Sequence, residues 1–325
     1  MNTTNKYLTI KRNIVLFFGL LTALAVKPLL YADSGVKEYT GIDLTVSSLP
    51  EAKLAATQSF TVPFLQGEHF LVQDNNIKFS LKADLSPVSM NASGEAVFTP
   101  IAFFQLSAGA LAGSGWNVVL FGGDVKGIGI NKDGASGPEV DGSAFDGFFG
   151  KWHAGGALQF DTGAVFPGDW NHVLMRTYHE INYMSYSRAA PGDSWFYEND
   201  DGENQNGFNY RANYVVGYQM PLFLNTVALM AETRKYLYNT PGGNFWGDAL
   251  GRWEFSAILN FRINDWFSAA LITQCRTRRN YIGLTSKQEE KSVYYRNRDL
   301  DDDNPLRFEF YRVAAIMTFR LNSTE

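Results

Sequence analysis

Charged side chains recur at alternate positions in several stretches of the sequence, and they are the first candidates for a functional site. Alternation places such residues on one face of a β-strand, which in a closed barrel is the face toward the lumen. The set comprises Arg176, Glu180, Arg211, Glu232, Arg234, Arg252, Glu254, Arg262, Arg276, Arg278, Arg312 and Arg320. In a narrow barrel these side chains would fill the interior as ion pairs. Because arginines outnumber glutamates, a cationic constriction that favours anions is the alternative.

Two acidic runs could bind a cation through closely spaced oxygen ligands. Their acidic members are Glu198, Asp200, Asp201, Glu203, Asp299, Asp301 and Asp303. Neither run has the alternate ligands and distal glutamate of a twelve-residue calcium loop. We therefore expect solvated surface loops with at most weak cation binding, and the sequence predicts no metal site.

The stretch 171–188 is the most suggestive of catalysis, because it contains two histidines, a glutamate and several hydroxyl side chains. His172 and Glu180 have one parity, whereas His179 and Ser185 have the other, so they cannot converge on one face of a strand. No His-x-Ser or Asp-x-His spacing occurs in the chain. The sequence thus predicts no catalysis and no cofactor. A barrel-embedded lipid hydrolase or protease remains the alternative.

The element that must position these charges is an alternating strand. In 249–262, Trp253 and Phe255 share one face, and Arg252 and Glu254 share the other. Similar alternation predicts ten strands, at 53–63, 76–98, 103–113, 145–166, 171–188, 207–219, 226–238, 249–262, 267–279 and 306–322. The parity reverses at Ser86-Pro87, which we interpret as a bulge within one long strand. Twelve strands are the alternative, if 117–130 supplies an extra pair.

Connections between these strands alternate in length, as expected for a membrane barrel with short periplasmic turns and long outer loops. Long polar stretches lie at 64–75, 114–144, 189–206, 239–248 and 280–305. Several aromatic residues lie beside the short turns or near the end of the chain, where they would form a girdle at one water–lipid boundary. They are Phe103, Phe104, Trp170, Phe223, Trp266, Phe267 and Phe319. A soluble exported β-sandwich that binds a ligand is the competing architecture.

Composition and the N-terminal segment indicate an exported protein. Of the 325 residues, 45% are hydrophobic and 19% are charged, which excludes disorder, and a single cysteine excludes a disulfide scaffold. Residues 1–32 have the basic start, short apolar core and small residues of a signal peptide, with cleavage after Ala25 or Ala32. Residues 1–32 contain four basic residues and no acid, so their removal changes the formal charge from −5 to −9 and disfavours nucleic acid as a partner.

The remaining chain divides into a polar periplasmic lead-in at 33–52 and a single barrel domain at 53–325. The turns at 98–104 and 264–267 and the closing strand at 311–321 resemble those of bacterial outer-membrane β-barrel proteins, most of all uncharacterised barrels of spirochaetes. That resemblance implies an outer-membrane location, contact with outer-membrane lipid and insertion by the barrel-assembly machinery. It supplies no active-site residue. We expect a non-catalytic barrel that is either a narrow, porin-like channel for small solutes or a structural or surface-interaction protein. The solute and the oligomeric state stay open.

Overall fold

A computed structural model describes residues 35–49, 51–120, 123–134, 137–141, 144–145, 147–191, 193–198, 200–237, 250–281 and 300–323. The predicted signal peptide lies outside them. The strands are β1 Lys37–Ser47, β2 Ala52–Pro63, β3 Asn76–Leu85, β4 Ser89–Ile101, β5 Phe104–Gly115, β6 Val118–Leu120, β7 Gly123–Val125, β8 Ile128–Gly134, β9 Gly137–Asp141, β10 Phe149–Asp161, β11 His172–Tyr186, β12 Trp195–Tyr197, β13 Gly207–Gln219, β14 Leu224–Tyr236, β15 Arg252–Arg262, β16 Phe267–Arg279 and β17 Leu306–Ser323. A short 3₁₀ helix covers Thr162–Ala164. No helix among the described residues is long and apolar enough to cross a membrane.

Twelve of these strands form a closed antiparallel barrel, which confirms the predicted fold class. The barrel runs β1–β17–β16–β15–β14–β13–β11–β10–β5–β4–β3–β2 and returns to β1. Because β1 pairs with both β17 and β2, every barrel strand has two partners and no edge is left open. The twelve-strand alternative is therefore correct, and the main prediction of ten is wrong.

One additional strand is β1, which lies within the predicted periplasmic lead-in. Its apolar side chains Ile42, Leu44 and Val46 alternate with Asp43 and Thr45. Asp43 accepts a hydrogen bond of 2.6 Å from the Thr318 hydroxyl, across the seam where the barrel closes. The strand offers few apolar side chains, which is why the sequence suggested a polar lead-in.

The other additional strand results from a hairpin at Ser86-Pro87, where the sequence suggested a bulge. The Ser86 amide donates to the Ser89 carbonyl at 2.9 Å, and Leu85 pairs directly with Met90. The parity of apolar residues reverses here because the chain turns back. The predicted route to twelve strands was different: 117–130 forms β6, β7 and part of β8, in small sheets separate from the barrel.

The two ends of the barrel differ in their connections. We call the end at Lys37 and Ser323 the turn end, and the opposite end the loop end. Residues 64–75 lie at the turn end, where the Leu71 carbonyl accepts from the Ala102 amide at 2.9 Å. Tight connections at 48–51 and 86–88 lie at the loop end. Loop length thus separates the two ends less strictly than predicted.

The outer wall is apolar and carries aromatic side chains at both ends. All seven predicted girdle residues lie at the turn end, where for example the rings of Phe267 and Phe319 stack at 4.9 Å. A second group, which is not part of the predicted girdle, lies nearer the loop end and includes Trp152, Tyr183, Phe208, Phe308 and Phe310. Phe310 and Phe319 are about nine residues apart on β17, which at about 3.4 Å per residue and a tilt of about 40° spans about 23 Å. This spacing matches the apolar band of a barrel in lipid.

Candidate functional site

The charged residues predicted for the lumen occupy the inward positions of their strands. Ten of them lie along the interior: Arg176, Glu180, Arg211, Glu232, Arg234, Arg252, Glu254, Arg276, Arg278 and Arg312. The remaining pair lies at the turn end: Arg262 is exposed and pairs with Asp265 at 3.5 Å, and the Arg320 amide donates to the Trp266 carbonyl. The predicted set therefore shares one face but extends over most of the barrel height.

Cross-strand registry arranges many of these charges in two rows. Arg211, Arg234 and Arg252 are direct neighbours across β13, β14 and β15, and the next row toward the turn end contains Glu232 and Glu254. Each glutamate pairs diagonally with an arginine: Glu232 contacts Arg211, and Glu254 lies 3.5 Å from Arg234. This registry leaves Arg252 without a wall glutamate as its diagonal partner.

The carboxylate that pairs with Arg252 comes from a loop that folds into the lumen. We call residues 194–205, between β11 and β13, the lumen segment; the structure describes all of it except residue 199. It begins with β12, whose Trp195 and Phe196 are completely buried and which pairs with β8. Trp195 and Tyr197 pack in an apolar cluster with Ile128, Phe149 and Tyr186. Burial of this aromatic triplet provides the driving force that draws the loop inward.

Glu198 fastens the lumen segment to the β2–β4 side of the wall. Its carboxylate lies 2.7 Å from the Lys53 ammonium and accepts hydrogen bonds from Ser89 at 2.7 Å and from Asn91 at 2.9 Å. The neighbouring Tyr197 hydroxyl also donates to Asn91. Glu198 adopts a left-handed φ of 53°, an unfavourable conformation for a side chain of this type, which its contacts stabilise.

Asp201 and Glu203 fasten the segment to the β15–β16 side. The Asp201 carboxylate lies 3.2 Å from Arg276, 3.7 Å from Arg252 and 3.9 Å from Arg278. Glu203 lies 2.7 Å from Arg252 and also contacts the buried Arg279. Burial alone would raise the pKa of Asp201, but the surrounding arginines hold that pKa below its ordinary value. The segment therefore bridges the lumen with ion pairs on both sides.

The structure thus contradicts the prediction of a solvated, weakly cation-binding loop for Glu198, Asp201 and Glu203, whereas Asp200 is exposed as predicted. Their neighbours are arginine, lysine and hydrogen-bond donors, so the site is unsuited to a cation. Asp200 itself is exposed, and its carboxylate accepts hydrogen bonds from the Asn204 side chain and from the Tyr197 and Gly202 backbone amides.

The second acidic run is a separate feature. Asp299 lies outside the described residues. Asp301 accepts hydrogen bonds from the Asp303 and Asn304 amides at 3.1 Å, and Asp303 is exposed. Across the described part of the chain, no group of three His, Cys, Asp or Glu side chains is arranged to hold a metal ion.

A bulge in β17 moves Tyr311 from the outer face, where its parity predicts it, to the lumen. Gln274 pairs with Arg312, and Cys275 pairs with Phe310, so Tyr311 is skipped in the register. Its ring lies 4.1 Å from the Arg276 guanidinium. Sequence parity also missed Lys53, Lys151, Arg279 and Glu309, which line or pair across the same interior.

The histidines of 171–188 do not form one site. His172 Nδ1 lies 2.8 Å from the Asp161 carboxylate at the turn end. His179 lies on the outer wall, where its ring nitrogens contact the Thr177 hydroxyl at 2.9 Å and the Tyr210 hydroxyl at 2.6 Å.

Space remains around the lumen segment. Three cavities of about 350, 470 and 440 Å³ are lined in common by Arg234 and Glu254. The first lies on the side of Arg276, the second extends toward Lys82 and Lys151, and the third extends toward Pro87. Because these cavities meet at one ion pair, the segment narrows the lumen and leaves polar space on several sides.

The solved structures that are similar to this one are bacterial outer-membrane β-barrels. No protein-family model matches the sequence, and no curated protein matches it. The structure is similar to the NanC porin at 7% identity and a TM-score of 0.41, covering 86% of this chain and 98% of that one. It is similar to the KdgM porin, solved in complex with disordered oligogalacturonate, at 8% identity and a TM-score of 0.36, covering 87% and 99%. The translocator domain of autotransporter NalP from Neisseria meningitidis is 9% identical with a TM-score of 0.34, covering 96% and 98%. Similarities of this size establish no activity or ligand.

Proposed function

We propose that this protein is a bacterial outer-membrane β-barrel that acts as a non-catalytic, narrow channel for small polar solutes. The observation that carries the proposal is the charged lumen segment, which bridges a closed barrel and leaves cavities with charged linings beside it. A barrel whose only role was structural would gain more from an apolar core than from buried ion pairs, because each charge is costly to desolvate. The predicted signal peptide and the apolar outer wall agree with insertion from the periplasm into outer-membrane lipid by the assembly machinery.

Conductance in a planar lipid bilayer tests this proposal. The refolded protein should give discrete current steps in potassium chloride, and replacing residues 194–205 with a glycine–serine linker of equal length should enlarge them. Folding is checked by the different gel migration of boiled and unboiled samples. If both proteins fold but neither carries current at any voltage, the channel proposal is wrong, and a structural or surface-interaction barrel takes its place.

A further inference from the structure

We propose that Arg252, Arg276, Arg278 and Arg279, the arginine cluster, form a binding site for small polycarboxylate or phosphate anions that the chain's own lumen segment occupies. The inference rests on the proposed channel and adds the chemical class of solute. It assigns the segment a second role, as a tethered competitor that an anionic solute displaces.

The first argument is the charge of the cluster without the segment. Four arginines lie on neighbouring strands β15 and β16. The wall contributes Glu309, which is 2.8 Å from Arg276, and Glu254, which is the cross-strand neighbour of Arg276 but is balanced by Arg234 at 3.5 Å. The segment contributes Asp201 and Glu203. The wall alone is therefore strongly basic at this point, and the segment's carboxylates balance most of the excess.

The second argument is geometric. Asp201 lies within 3.9 Å of three guanidinium groups, and Glu203 contacts a fourth, so two carboxylates two residues apart engage the whole cluster. A small molecule with two or three carboxylates can present the same groups, because guanidinium forks recognise carboxylate and phosphate oxygens alike. The cavity beside Asp201 and Arg276 has a volume of about 350 Å³, which is sufficient for a solute of that size.

The third argument is that the segment is attached to the opposite wall through a separate set of contacts. Glu198 pairs with Lys53, Ser89 and Asn91 and makes no ion pair with the arginine cluster among the described contacts. Asp201 can therefore give up its place to a carboxylate of a solute while Glu198 stays fastened and while Glu203, which is buried and also accepts hydrogen bonds from the Tyr236 and Tyr281 hydroxyls, stays in position.

Citrate binding to purified, refolded protein tests the inference. Isothermal calorimetry compares the wild type with Asp201→Asn, which removes one competing charge and leaves all four arginines in place. Citrate should bind Asp201→Asn at least tenfold more tightly than the wild type. Adding Arg276→Gln to Asp201→Asn should abolish that gain. Asp303→Asn, which makes the same charge change in an exposed loop, is the matched control and should leave citrate affinity unchanged.

Bilayer recordings of the same proteins separate this inference from the proposed channel. Asp201→Asn should shift the reversal potential in a potassium chloride gradient toward chloride, and Asp303→Asn should not. If no protein carries current but citrate still binds Asp201→Asn selectively, the channel fails and the anion site stands. Equal citrate affinity in the wild type, Asp201→Asn and Asp303→Asn overturns the anion site. Should Asp201→Asn not fold, Asp201→Ser removes the same competing charge and should produce the same gain in citrate affinity.

Discussion

Glu198 is the residue whose removal should most directly release the lumen segment. Its carboxylate holds Lys53 at 2.7 Å, Ser89 at 2.7 Å and Asn91 at 2.9 Å. Two hydrogen bonds contribute about 1 kcal/mol each, and the Lys53 pair, which is about one quarter exposed on each side, contributes about 1 kcal/mol after solvent screening. Water replaces part of these hydrogen bonds and of the ion pair when the side chain is lost, so we expect Glu198→Ala to destabilise the seated segment by about 2 kcal/mol. That energy corresponds to about a 30-fold shift toward the released state.

Hydrogen exchange measured by mass spectrometry reads this shift directly. The Trp195 and Asn204 amides each donate to the other residue's carbonyl, at 2.9 and 3.1 Å, so exchange of a peptide covering 194–205 reports whether the segment is folded. Exchange there should accelerate by about 30-fold in Glu198→Ala, while peptides from the barrel strands stay protected. Glu68→Ala, at an exposed position at the turn end, is the control. Unchanged exchange in the segment, or equal acceleration throughout the barrel, would refute the assignment of Glu198 as a local fastener.

Two further predictions follow from other parts of the molecule. Leu229→Arg places a charge on the exposed apolar wall of β14 and should lower the free energy of unfolding, measured in liposomes, by about 2–4 kcal/mol. Val165→Arg, in the turn-end connection, is the control and should not lower it. Equal effects of the two substitutions would argue against contact between Leu229 and lipid. Deleting residues 35–47 removes the strand between β17 and β2 and should abolish the heat-modifiable gel form; a deletion mutant that keeps it would contradict closure through β1.

The outward face of the barrel could be predicted from the sequence because the alternation of apolar and polar residues is visible within a single strand. In β15 the alternation of Phe255 with Glu254 identifies both the strand and its lumen face without knowledge of any partner. The same reasoning failed at Ser86-Pro87, because a three-residue hairpin and a bulge both reverse parity. It also failed at Tyr311, where an extra residue shifts the register. Local alternation therefore predicts faces well and strand number less well.

The lumen segment was not predictable in the same way, because its contacts join residues far apart in the chain. Lys53 and Glu198 are 145 positions apart, and Arg276 and Asp201 are 75 apart. Acidic residues in a long polar connection have the composition of a solvated loop. The available signal was the aromatic triplet Trp195–Tyr197, since three consecutive aromatic residues are unusual in a loop exposed to water.

The positions of wall arginines and segment carboxylates are best understood as one unit. Registry on β13–β15 places three arginines in one row and two glutamates in the next, so Arg252 lacks a diagonal partner on the wall. A guanidinium in a partly dehydrated lumen is costly unless it is paired. Glu203 and Asp201 supply that pairing, and both belong to a loop and not to a barrel strand. A wall arginine that must be paired, and that is paired by a carboxylate from a loop, is the arrangement expected where an anionic solute competes with that carboxylate.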